Sequence, residues 1–158
     1  MARQKPIEIQ SEEEVELLMA QASRRGPTSI RNRALIAALY YGGLRVGETI
    51  ALVPRDVDLT RGEVNVRRGK GAKQRLSVLS EPGLAPLELW MKVRAELGIS
   101  TRQPLFCTVS DGANALAKAG HTMKPGSPLS QPYIWTLLRR LAEEGRDRKE
   151  GPPSRPAP

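Results

Sequence analysis

The feature that most limits how this chain can fold is the pair Gly42-Gly43, which cuts off its longest apolar run, Ala34 to Tyr41. Upstream, Ile30, Ala34, Ala37, Ala38 and Tyr41 recur at helical spacing, and Leu35 and Leu39 widen the stripe. A largely buried helix is therefore predicted, capped by Thr28 or Ser29. Two consecutive glycines end or kink it, because glycine tolerates the backbone conformations that terminate a helix. A second helix is predicted from about Leu44 to Leu52, closed by Pro54. Within it Arg45 and Glu48 stand three residues apart and face the same way.

Residues 1–10 read as an extended arm, and Ser11 with Glu14 forms a capping box that starts a short helix. Ile9 and Val15 can staple it, and Val15, Leu18, Met19 and Ala22 mark its inner face. Past a turn at Thr60-Arg61-Gly62, Val64 and Val66 alternate with Glu63, Asn65 and Arg67, which is strand periodicity. Leu76 and Val78 alternate with Arg75 and Ser77 in the same manner, and the intervening turn contains Gly69 and Gly71. The pair predicts a β-hairpin. Pro82 and Pro86 frame the entry to a helix from about Leu87 to Leu97, stopped by Gly98. Leu105-Phe106-Cys107 is a short apolar piece. A final helix is expected from Gln131 to about Glu144, with Tyr133, Leu137, Leu138 and Leu141 inward. The expected class is α+β, mostly helical around a small antiparallel sheet.

At 158 residues the chain is one domain at most, with a modest core. Its net charge of +8 makes a polyanion the natural partner. Between Arg61 and Arg75, six basic residues face the single acid Glu63. That focus on one hairpin-sized segment favours phosphate contact over a diffuse solvated face. The lone Cys107 fits a reducing compartment, and one cysteine with one histidine, His121, makes no metal-ligand cluster. No apolar run is long enough to span a bilayer, so a soluble, intracellular protein with no membrane partner is expected.

Two strings carry a resemblance. Gly43-Leu44-Arg45-Val46-Gly47-Glu48, followed by Leu52-Val53-Pro54-Arg55-Asp56-Val57-Asp58, is answered by Gly69-Lys70-Gly71-Ala72-Lys73-Gln74-Arg75. Taken alone, the first is an ordinary ion pair and the second a solvated turn. In this order and spacing they resemble the start of the catalytic domain of the tyrosine recombinases (phage-integrase family), and the likeness runs from about Ile7 to Glu144. An arginine suits such a site because its planar fork grips two phosphate oxygens and keeps its charge. The resemblance implies that Arg45 clamps the scissile phosphate and Glu48 supports it. Lys70 would protonate the leaving 5′ oxygen as general acid, while Arg67, Arg68, Lys73 and Arg75 contact the DNA backbone. The family stores the bond energy in a tyrosine–phosphate link, so no metal or cofactor is implied.

The family site also needs a His-x-x-Arg box, a further His or Trp, and the nucleophilic tyrosine. His121-Thr122-Met123-Lys124 is only superficially similar and reads as loop. Tyr40 and Tyr41 read as helix packing and Tyr133 as core, so no nucleophile is identified. The C-terminal helices of the domain are expected to be missing. Residues 145–158 are expected to be a disordered tail or a stretch read out of frame: a one-base shift of one allowed back-translation spells His-Ala-Leu-Arg. The expected function is site-specific DNA recombination in the complete family member, with this chain inactive alone. A non-catalytic DNA-binding or interfering module and a pseudogene product stay open. Expected partners are double-stranded DNA and further recombinase protomers or a complementing C-terminal fragment.

Overall fold

A computed structural model describes residues 11–22, 26–67, 74–109 and 125–150, with side chains to 147. The elements are α1 (Glu12–Gln21), α2 (Pro27–Tyr41), α3 (Val46–Ala51), a 3-10 turn (Pro54–Asp56), β1 (Val57–Asp58), β2 (Glu63–Val66), β3 (Arg75–Val78), α4 (Glu81–Glu96) and α5 (Gln131–Glu150). The three strands form an antiparallel sheet in the order β1-β2-β3. Helix α2 runs through the centre, packed along α4 and against α1 and α3, and α1 also packs on α5. Among the described residues, Trp90, Phe106, Leu35, Ile36, Leu87 and Leu105 are the largest fully buried side chains. The α+β expectation holds.

Local chemistry explains most boundaries. The Ser11 hydroxyl accepts the Glu14 N–H at 3.2 Å, capping α1 as predicted; the proposed Ile9 staple lies outside the described residues. Helix α2 starts on Pro27 after Gly26, with no side-chain cap, so neither Thr28 nor Ser29 has the expected role. Proline suits this first position because its absent N–H would have had no intrahelical partner. Gly42 ends α2 and Gly43 takes φ 57°. That left-handed conformation costs other residues about 1–2 kcal/mol.

Four expectations need correction. Helix α4 begins at Glu81, so Pro82 and Pro86 lie within it rather than ahead of it. Pro82 falls in the first turn, and the bond lost at Pro86 is offset by burial of Leu87 and Trp90. Val57 and Asp58 form a third strand, pairing with Val64 and Glu63. Strand β3 turns the opposite way from a simple apolar alternation: Ser77 is buried, while Leu76 and Val78 are 58% and 64% exposed. Helix α5 continues to Glu150, past the boundary expected at Glu144, with Gly145 buried.

The crossing of α2 and α4 leaves no room at Gly83, where a Cβ would lie 2.7 Å from Tyr41 Cβ and 3.2 Å from Leu79 Cδ2. Gly83→Ala is therefore expected to lower stability by about 1–3 kcal/mol, the usual cost of overpacking, read as a shifted urea midpoint with unchanged slope.

Candidate functional site

The site is built where α2 passes into α3. After Gly43 the chain is extended, and Arg45 occupies the N-cap of α3 at φ −74° and ψ 152°. Both ends of its peptide unit are held. Its N–H donates to Glu48 Oε2 at 2.8 Å, and its carbonyl accepts the Thr49 N–H and the Thr49 hydroxyl, each at 2.9 Å. The Arg45 residue itself is exposed and joins no ion pair among the described residues. The predicted helix thus starts at Val46 rather than Leu44, and the same-face argument for Arg45 and Glu48 does not apply. Glu48 meets Arg45 through the backbone.

The Glu48 carboxylate is buried and its direct side-chain partner is Arg75, whose Nη2 lies 2.6 Å from Oε2 and whose Nε lies 3.2 Å from Oε1. This two-pronged contact holds the Glu48 carboxyl below the usual range, with the Arg45 N–H and the nearby Arg45 charge adding to the effect against the opposing cost of burial. The same bond raises the Arg75 guanidinium above its ordinary value. Two residues on, the Ser77 hydroxyl donates to the Gly42 carbonyl. Arg75 and Ser77 share one face of β3, and that face fastens the strand to the α2–α3 junction. Arg75 Nη2 also reaches the Gly43 carbonyl, at 3.4 Å.

Arg67 follows β2 and lies beside a second acid. Its Nε lies 2.5 Å from Asp56 Oδ1, an ionic contact without an aligned hydrogen bond, while Asp56 Oδ2 accepts the Val53 N–H at 3.0 Å. Since Val66 pairs with Arg75 across the sheet, the two stems of the basic turn are each pinned by an arginine to a buried carboxylate. Lys70, Arg68 and Lys73 lie outside the described residues, as does His121.

Two buried arginines were not identified from the sequence. Arg31 of α2 donates to Asn32 Oδ1, to the Cys107 carbonyl at 3.0 Å and to the Tyr133 hydroxyl at 2.6 Å, joining α2, the Leu105–Cys107 segment and α5. Tyr133 is accordingly 41% exposed with its hydroxyl engaged, and is not the core residue expected. Arg94 of α4 donates to the carbonyls of Ile99, Ser100, Gln103 and Pro104, and its burial lowers its pKa from the ordinary value. Each was legible as a charge on the apolar face: Arg31 precedes Ala34 and Leu35 at helical spacing, and Arg94 follows Leu87 and Trp90. Among the described residues no group of His, Cys, Asp and Glu could hold a metal ion, and no helix is long and apolar enough to cross a membrane.

The chain belongs to the phage integrase family, the tyrosine recombinases, whose model matches residues 9–155. It is 33% identical over 147 residues to tyrosine recombinase XerC 2 of Ralstonia nicotianae, covering 92% of this chain and 38% of that protein. It is 34% identical over 118 residues to tyrosine recombinase XerA of Thermococcus kodakarensis, covering 75% of this chain and 36% of that protein. A crystal structure of XerA recombinase shares the fold with a TM-score of 0.66 at 24% identity, over 86% of this chain and 42% of that one. XerH site-specific recombinase, bound to its difH substrate before cleavage, matches with a TM-score of 0.62 at 22% identity, over 86% of this chain and 36% of that one. The chain thus spans about two fifths of these proteins.

The lowered Glu48 pKa sets a pH dependence. A carboxyl depressed in the folded state contributes stability above its unfolded value, near 4.5, and loses it as the pH falls through the folded value. Wild type should exceed Glu48→Gln by about 1–3 kcal/mol at neutral pH, with the difference closing below that value in urea melts run across the acid range.

Proposed function

We propose that this chain presents the phosphate-gripping half of a tyrosine recombinase centre to duplex DNA in the cytoplasm. The observation that carries the proposal is an exposed Arg45 whose backbone is fixed at both its N–H and its carbonyl. Such an arginine starts from a fixed backbone, so only its side chain is ordered when its fork closes on two phosphate oxygens, and it can oppose the charge that builds there during phosphoryl transfer. Lys70, in the segment that joins the two stems in sequence, would give a proton to the 5′ oxygen as its bond to phosphorus breaks. Arg68 and Lys73 would hold neighbouring phosphates.

The attacking tyrosine is not assigned within this chain. Tyr40 and Tyr41 pack edge to face at 5.0 Å on α2, and the Tyr133 oxygen is bound by Arg31. Strand cleavage by this polypeptide would thus require a nucleophile from another segment or a recombinase protomer. Alone, it should bind duplex DNA and leave it intact.

Titrating duplex DNA at several salt concentrations tests this. Affinity should fall steeply with salt, and Arg45→Ala should weaken it about tenfold and lower the logarithmic salt slope by about 0.9, the value for one phosphate contact. A protein–DNA adduct that survives denaturant would overturn the non-cleaving reading, and an Arg45→Ala variant that binds like wild type would overturn the role of Arg45.

A further inference from the structure

Glu48 poses a physical problem for the proposed site. A carboxylate beside an arginine meant to grip phosphate should repel the polyanion and draw the guanidinium toward itself. The Arg45 charge contributes to holding the Glu48 carboxyl ionised. Yet Glu48 is also needed, because its Oε2 holds the Arg45 N–H. Arg75 resolves the conflict. Its fork occupies both carboxylate oxygens, at 2.6 and 3.2 Å, leaving the set of Arg45, Glu48 and Arg75 with one net positive charge.

We infer that Arg75 is a positioning residue, which neutralises Glu48 so that Glu48 holds the Arg45 backbone without capturing the Arg45 guanidinium. This rests on the reading of Arg45 as the phosphate clamp, and it replaces the expectation that Arg75 is itself a backbone contact. Arg75 is the first residue of β3 and the next described turn residue before it is Gln74, so its bond to Glu48 also ties the returning stem of the basic turn to the segment bearing Arg45. The Gly43 carbonyl at 3.4 Å and the Ser77 hydroxyl on Gly42 hold the same two segments together. Two segments from distant parts of the chain are thereby kept in one frame by one ion pair and two hydrogen bonds to backbone carbonyls.

Arg75→Gln leaves Glu48 charged and unmatched, free to pull Arg45 aside. Duplex binding should weaken about tenfold and the salt slope should drop by about 0.9, as if one phosphate contact were lost. Adding Glu48→Gln should restore both, since the amide still accepts the Arg45 N–H and no charge remains to compete. Arg75→Lys, with the charge but not the fork, should fall between wild type and Arg75→Gln. A purely structural role would not give recovery of the salt slope on removal of a second charge. A double variant as weak as Arg75→Gln, with its slope still lowered, would overturn the inference and make Arg75 a phosphate ligand. An Arg75→Gln variant that binds like wild type would overturn it as well. If Arg75→Gln does not fold, the double variant decides alone by showing the wild-type slope or one lowered by a phosphate. Arg45→Ala in the same series separates the two levels. If it binds normally, the clamp reading fails and this inference with it; if it is damaged while the double variant stays weak, only the inference fails.

Discussion

The bond between Arg75 and Glu48 is the interaction on which the arrangement of this domain turns. It closes a loop in space between residues far apart in sequence, at a place where neither helix packing nor sheet pairing would do so. The α2–α3 junction is short, extended and glycine-rich, and Leu44 anchors it in the core. Polar contacts to β3 add to that anchor: the Arg75 fork on Glu48 and the Ser77 hydroxyl on Gly42. Because Glu48 is buried, removing only one partner would leave an uncompensated charge, which is far more costly than exchanging both. The pair behaves as a unit.

That dependence also explains the inverted face of β3. In a two-layer fold the inward positions of an edge strand are usually apolar. Here the layer beneath β3 at that point is a stretch of backbone with carbonyls to satisfy, so the inward positions carry a hydroxyl and a guanidinium. Leu76 and Val78 are left outside. Strand β2, which lies over the apolar interior, keeps the ordinary pattern, with Val64 and Val66 buried at 1% and 2%. One hairpin thus answers two different floors.

How much could be read beforehand follows the same division. The apolar stripe of α2, the cap of α1 and the alternation of β2 are local patterns, and they were legible. So was the family, read from the Arg45 string and the basic segment after it, because a motif persists whatever its geometry. Features settled by contact between distant segments were not. Nothing near Arg45 shows that it caps α3 from an extended backbone, since that depends on Glu48 reaching back to its N–H. Pro86 looks like a boundary until the burial of Trp90 is known, and Tyr133 looks like core until Arg31 claims its hydroxyl. That Arg75 meets a buried acid was not legible, because a charge in a basic turn gives no hint of Glu48 opposite.

Arg94 has a bearing on how such a domain can diverge. Its guanidinium organises the chain from Ile99 to Pro104 through carbonyl oxygens, which every residue type supplies alike. Apart from the Gln103 side chain on the Ser100 N–H and the Ser100 hydroxyl on the Arg102 N–H, the shape of that loop rests on main-chain oxygens. A segment held in this way can change most of its letters while its path stays put. Shape shared at 24% identity is the kind of outcome that main-chain scaffolding of this sort permits.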